Sequence, residues 1–135
     1  MISVEDKAIV DAGHPPIAEG VVLVDFDATI APFGHLFNFP EPFEGAGYFM
    51  NALKHKGFTV GIFTSRLSPT WLDTVISTEE DHRKYITDYC QRFNIPFDFI
   101  TAEKVPAIAY IDDKAITFTG DWKEMFHEFI RKGWL

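Results

Sequence analysis

One cysteine, Cys90, stands among 135 residues, so no disulfide can form within the chain and a reducing compartment fits. Basic residues are a minority: 12 lysines and arginines against 20 aspartates and glutamates, a formal net charge of −8. That balance makes non-specific nucleic-acid binding unlikely, because such binding needs a basic footprint, but it leaves room for a local site that takes a phosphate-bearing end. No apolar run approaches the roughly 18 residues of a membrane span, and no charged-then-apolar leader opens the sequence. A cytoplasmic protein with no membrane partner is therefore expected. Repeats and low-complexity tracts are missing, and the 5 histidines show no metal-ligand spacing. Phenylalanine, by contrast, is abundant at 14 copies, and many of these rings must pack in a core or line a pocket.

The length suits a single domain over 1–135 with one core. Residues 1–20 read as a lead-in, with a short helix expected over Ser3–Asp11 and closed off by Pro15 and Pro16. Val21–Val24 is an aliphatic run suited to a strand buried on both faces. Residues 31–43 alternate Pro32, Pro40 and Pro42 with Phe33, Phe37, Phe39 and Phe43, an aromatic loop that serves equally well as packing or as a short lid. A helix over Glu44–Lys56 stopping at Gly57, a strand over Phe58–Phe63, and a loop or weak helix over 67–78 follow. Thr78 and Asp81 have the spacing of a capping box for a helix running to about Phe93, whose EEDHRK start reads as a solvated face. Further strands are expected over Phe97–Ile100, Val105–Ile111 and Ala115–Phe118. Residues 122–132 close the motif-bearing core of 21–122 as an amphipathic helix, with Trp122, Met125, Phe126, Phe129 and Ile130 on one stripe.

Short aliphatic strands alternating with helices predict an α/β fold with a mostly parallel sheet. Several strands end in polar clusters: Asp25 and Asp27, Thr64 to Arg66, and Asp112 with Asp113. In open parallel sheets the ligand crevice lies beyond the carboxyl ends of the strands, so these distant clusters are expected to converge. Taken singly, each has a plain structural explanation: a strand-end turn for either acidic pair, a solvated side chain for Lys104. Together, four carboxylates at one sheet edge need a cation, and Mg²⁺ favours one or two carboxylates plus waters and a substrate phosphate. Thr64 or Ser65 offers a hydroxyl, with the strand end favouring Thr64; Arg66 and Lys104 offer positive charge. Those groups suit a phosphoryl-transfer site. Cys90, in a helical segment with apolar neighbours, is expected to be buried.

The stretch DFDAT at 25–29 resembles the DxDx(T/V) signature of the haloacid dehalogenase superfamily of phosphohydrolases. The strand ending at Thr64 resembles that family's second motif, Lys104 its third, and the aliphatic strand ending in Asp112-Asp113 its fourth, in the same order from residue 21 to about residue 122. The resemblance implies a three-layer Rossmann-like domain and a Mg²⁺-dependent phosphatase working through an aspartyl-phosphate. Asp25 would be nucleophile and metal ligand. Asp27 would be general acid and base, and a metal ligand through its carbonyl. Thr64, with Ser65 and Arg66 as further substrate contacts, would hold the phosphoryl group; Lys104 would offset charge; Asp112 and Asp113 would hold the metal directly or through its waters. Ala28 stands where the family usually has glycine, and a Cβ disfavours positive φ there.

Residues 30–45 and 65–103 are too few to hold the cap domain that selects substrates in many members. A capless site would be open, suited to a phosphorylated small molecule, to the phosphate-bearing end of a larger one, or to a homo-oligomer that supplies the missing wall. Residues 31–43 and the Trp71 loop are the available lids. Two other readings compete: a receiver-like phospho-acceptor module and a non-catalytic relative kept for binding. The receiver order places its lysine after the other motifs, whereas Lys104 precedes Asp112-Asp113; retention of both Asp25 and Asp27 argues against loss of catalysis.

Overall fold

The computed structural model describes residues 20–72 and 77–135; the helix expected over Ser3–Asp11 lies outside them. Four strands, β1 (Val21–Asp25), β2 (Thr59–Phe63), β3 (Phe99–Thr101) and β4 (Ala109–Ile111), form one sheet in the order β3-β2-β1-β4, and every pair is parallel. Helices α1 (Ala46–Lys56), α2 (Pro69–Leu72), α3 (Glu79–Arg92) and α4 (Trp122–Arg131) flank it, and a 3-10 turn at Ser65–Leu67 follows β2. This is the expected Rossmann-like α/β architecture, and among the described residues no cap domain interrupts it.

β1 is central because its sequence can be buried on both faces: Val21 to Val24 are all buried. Val22 and Val24 pair in register with Val60 and Ile62, and these four join Ile86, Tyr89 and Cys90 of α3 in the main core. On the opposite face Leu23 lies beside Gly61. A Cβ on Gly61 would meet the Phe99 ring at 2.4 Å and Leu23 at 2.6 Å, so the glycine lets those two side chains close over the sheet. Cys90 is fully buried, and burial pushes its thiol up to about 12.

Capping sets the helix limits. Thr78 Oγ1 accepts from the Asp81 N–H at 3.2 Å and Asp81 Oδ2 accepts from the Thr78 N–H at 3.0 Å, the reciprocal box the sequence predicts. Gly57, at φ 98°, ends α1 by donating to the carbonyls of Leu53 and Lys54. α1 begins two residues later than expected because Gly45, at φ 91°, holds a left-handed conformation ahead of it.

Three strand expectations are corrected. The strand expected over Phe97–Ile100 is shifted to Phe99–Thr101, with Asp98 ahead of it giving its carboxylate to Lys54 and the Val60 N–H. The strand expected over Val105–Ile111 begins only at Ala109, since Pro106 has no N–H to give a ladder. The strand expected over Ala115–Phe118 does not form; Phe118 instead packs its ring on Trp122, 4.6 Å between centroids. On α4 the apolar stripe stays largely open to solvent, with Trp122, Phe126, Phe129 and Ile130 all exposed. Among the described residues no helix is long and apolar enough to cross a membrane.

Candidate functional site

The chain runs β1, β2, β3 to one side and then returns to place β4 on the other side of β1. That reversal opens a crevice at the carboxyl ends of β1 and β4, the position where open parallel sheets take ligands. Asp25 is the last residue of β1, and Asp112 and Asp113 directly follow β4.

Phe26 fixes the geometry of the first acidic pair. Its ring is fully buried, stacked on Phe39 at 5.6 Å and edge-on to Tyr89 at 5.3 Å. With Phe26 turned into the core, Asp25 and Asp27 fall on the opposite side, toward the crevice. The chain then folds back tightly: the N–H groups of Ile30 and Ala31 both donate to the Phe26 carbonyl, and Ala28 donates to the Ala31 carbonyl at 2.7 Å. Ala28 adopts φ 61° to make this turn, a left-handed conformation that disfavours a Cβ. The turn brings Thr29 Oγ1 to 3.2 Å from Asp25 Oδ2 and 3.5 Å from Asp113 Oδ1.

Asp25, Asp112 and Asp113 each offer a carboxylate oxygen, and these oxygens all lie within 4.8 Å of one another. Asp112 is oriented by the Lys114 N–H, which donates to its Oδ1 at 2.8 Å. Burial, a hydrogen bond with Asp113 and the negative charge of Asp112 together push the half-buried Asp25 carboxyl up to about 7; the Phe26 N–H and Thr29 hydroxyl oppose the shift and lose. An all-oxygen donor set of this kind fits a hard divalent cation.

Asp27 belongs to a different network. Arg66, almost fully buried, donates from Nε to both Asp27 oxygens (3.1 and 3.0 Å) and from Nη2 to Oδ1 (3.0 Å). Its Nη1 donates to the Leu36 carbonyl, and its guanidinium sits 4.5 Å from the centroid of the Phe39 ring. The aromatic loop is thereby tied to Asp27. The Phe39 N–H also donates to the Tyr85 hydroxyl at 2.7 Å, and the Tyr89 hydroxyl donates to the Pro40 carbonyl at 2.6 Å. The loop thus divides its rings: Phe39 packs inward while Phe33, Phe37 and Phe43 remain exposed.

A cavity of about 500 Å³ lies over the acids, lined by Asp25, Asp27, Asp112 and Asp113 with Ser65, Ser68, Arg66, Lys114, Phe33, Phe63, Trp71 and Ala102. Of the residues expected at the site, Asp25, Asp27, Ser65, Arg66, Asp112 and Asp113 meet here. Thr64 does not line it: its side chain is fully buried and accepts from the Arg66 N–H at 3.2 Å, capping the 3-10 turn that presents Ser65. Lys104 does not line it either. Its Nζ lies 5.0 Å from the Tyr110 ring centroid, in an adjoining cavity of about 400 Å³ that shares Phe63 and Asp112 with the first. The lysine lining the acid cavity is Lys114, which sequence reasoning passed over although it directly follows the acidic pair. Ser68 was also missed; its place just before Pro69, at the start of α2, was the available signal.

His82 departs from the solvated helix start around it. It is fully buried, shares a 2.8 Å hydrogen bond with Ser77 Oγ and lies 5.0 Å from the Phe37 ring. Burial, with the charge of Arg66 added, holds its imidazole below the ordinary range.

Fold and site together define a Rossmann-like α/β protein with a carboxylate-rich crevice at the sheet's switch point. No family profile matches the chain, and no curated protein sequence does. Its fold is similar to that of a conserved protein from Bacteroides thetaiotaomicron, at a TM-score of 0.51 and 18% identity over 84% of this chain and 90% of that one. It is also similar to a structural-genomics target from Vibrio cholerae, at a TM-score of 0.51 and 20% identity over 83% of this chain and 98% of that one. At these identities the likeness is one of fold.

Proposed function

We propose that the chain is a Mg²⁺-dependent phosphomonoesterase of the haloacid dehalogenase type, working through an aspartyl-phosphate on Asp25. The observation that carries this reading is the meeting of Asp25, Asp112 and Asp113 within 4.8 Å at the carboxyl edge of a parallel sheet. It agrees with the order of motifs from DFDAT to Asp112-Asp113. Asp25, Asp112 and Asp113 would hold the cation, which when bound supplies neutralisation of the phosphate and of the acids themselves.

In the first half-reaction an Asp25 carboxylate oxygen bonds to phosphorus as the bond from phosphorus to the leaving oxygen breaks, and Asp27 delivers the proton that oxygen needs. In the second, water attacks the phosphorus, Asp27 takes its proton, and the Asp25 carboxylate leaves. Both Asp27 oxygens are engaged by Arg66, so Asp27 must release at least one of those bonds to reach the leaving oxygen. Ser65 and Lys114 line the cavity and would meet the phosphoryl oxygens in this reading. The test is release of inorganic phosphate from 4-nitrophenyl phosphate with Mg²⁺ and after EDTA. Turnover that depends on the cation is expected, and turnover indifferent to EDTA contradicts the reading.

The position of Lys104 over Tyr110 favours one second reading, a non-catalytic relative that binds a cation or phosphate in the same crevice. Binding of Mg²⁺ and inorganic phosphate without turnover of any phosphoester separates it from the first.

A further inference from the structure

The cavity over the acids has a polar floor and aromatic walls. Phe33 reaches it from the loop after β1 and Trp71 from α2, which follows β2. Phe33 is 68% exposed and Trp71 37%, so neither residue is wholly packed into the core. A single exposed aromatic needs no explanation, but two that arrive from separate elements at one acid-lined cavity are a pattern. Phe33 is presented by an anchored segment. A Cβ on neighbouring Gly34 would lie 2.9 Å from both the Asn38 carbonyl and the Phe39 ring, so the loop is packed tightly beneath it. Phe39 in turn stacks on the buried Phe26. On the other side the Trp71 N–H donates to Ser68 Oγ at 3.2 Å, which fixes the start of α2 against the cavity.

A phosphate group alone fills a small part of about 500 Å³, a volume within the range of small-molecule sites. Besides the acids and the other polar groups, the cavity lining includes Phe33, Phe63, Trp71 and Ala102. We infer that the organic part of the substrate carries a flat aromatic ring that packs against Phe33 and Trp71 while its phosphate sits over Asp25. The inference rests on the phosphomonoesterase reading for the reaction and on the cavity walls for the ring. A nucleoside monophosphate and an aryl-bearing phosphate share this chemistry.

Two matched pairs of esters test it. Adenosine 5′-monophosphate against ribose 5-phosphate removes the ring and keeps the sugar phosphate. The pair 2-phenylethyl phosphate against 2-cyclohexylethyl phosphate replaces a flat ring by a puckered one and keeps the leaving group aliphatic. With Mg²⁺ present, kcat/KM is expected to favour the aromatic member by about tenfold or more in at least one pair, the scale of one ring-stacking contact. Preference confined to the first pair identifies a nucleobase as the ring, and preference confined to the second an aryl group. Phe33→Ala and Trp71→Ala should each move that ratio toward one; a ratio compares two substrates on the same protein, so loss of folded material cancels. Equal kcat/KM in both pairs, or ratios that neither substitution moves, overturns the inference and leaves the phosphatase reading standing. If no ester is hydrolysed, the phosphatase reading falls instead, and calorimetric dissociation constants for the same four esters decide the ring. Tighter binding of an aromatic member supports it; equal or no binding overturns it.

Discussion

Arg66 grips Asp27 through three hydrogen bonds while its guanidinium plane rests on Phe39, so one buried cation joins the second acid of DFDAT to the aromatic loop. The arrangement explains why a residue of the 3-10 turn with a full positive charge is almost wholly buried: each side of its fork is satisfied. Arg66 thus lines the acid cavity while its hydrogen bonds go to Asp27 and the Leu36 carbonyl.

Replacing Arg66 by Met leaves Asp27 facing an apolar neighbour and releases the Leu36 carbonyl. Because Asp27 is partly exposed, the expected loss is below that for a fully buried pair, about 2–4 kcal/mol. Urea unfolding of Arg66→Met and of Arg66→Lys measures it, with the lysine variant recovering part of the loss. Wild-type stability in both would show that the pair carries no structural weight.

Ala28 sits at φ 61°, where glycine has no Cβ to accommodate. Relief of that strain outweighs glycine's greater freedom in the unfolded chain, so Ala28→Gly should raise stability by up to about 1 kcal/mol. A higher urea midpoint at unchanged slope is the expected result; a lower one would mean that the turn tolerates its alanine without strain.

The Asp25 carboxyl, pushed up from 3.8 to about 7, makes the cation-free protein sensitive to pH. A carboxyl that binds its proton more tightly when folded stabilises the fold fully below its unfolded pKa, and that contribution is lost as pH rises through about 7. Cation-free Tm should therefore fall between pH 4 and 8, and Asp25→Asn should flatten the decline. Mg²⁺ competes with the proton, so the rise in Tm on adding it should be larger at pH 8 than at pH 6. An equal rise at both would place the cation away from Asp25.

Lys114 lines the acid cavity, whereas Lys104 lies over Tyr110. Lys114→Ala should lower kcat/KM for a phosphate ester by about tenfold or more, the scale of one charge-assisted hydrogen bond. Lys104→Ala should have the smaller effect. The reverse ranking would show that Lys104 reaches the phosphate when substrate binds.

The parallel sheet, the central place of β1 and the convergence of Asp25 with Asp112-Asp113 were legible because each rests on a local pattern: an aliphatic run, then acids at its end. The capping box at Thr78 and Asp81 and the stop at Gly57 were legible for the same reason. What local pattern could not give was the direction of individual side chains after each strand. Thr64 and Ser65 are neighbours, yet the 3-10 turn buries one hydroxyl and presents the other. His82, buried within a charged run, packs against Phe37, which is distant from it in sequence. Pro106 was visible, and its effect on β4 was the part of the sheet most open to a closer reading.

In the proposed reaction the oxygen that attacks phosphorus belongs to Asp25. The most direct measurement is the rate of phosphate release from 4-nitrophenyl phosphate by Asp25→Asn against wild type, at saturating Mg²⁺ and with both proteins shown to be folded. Release by the wild type and loss of at least about a thousandfold in the variant are expected when the attacking group is removed. Undiminished release by Asp25→Asn would contradict Asp25 as the nucleophile.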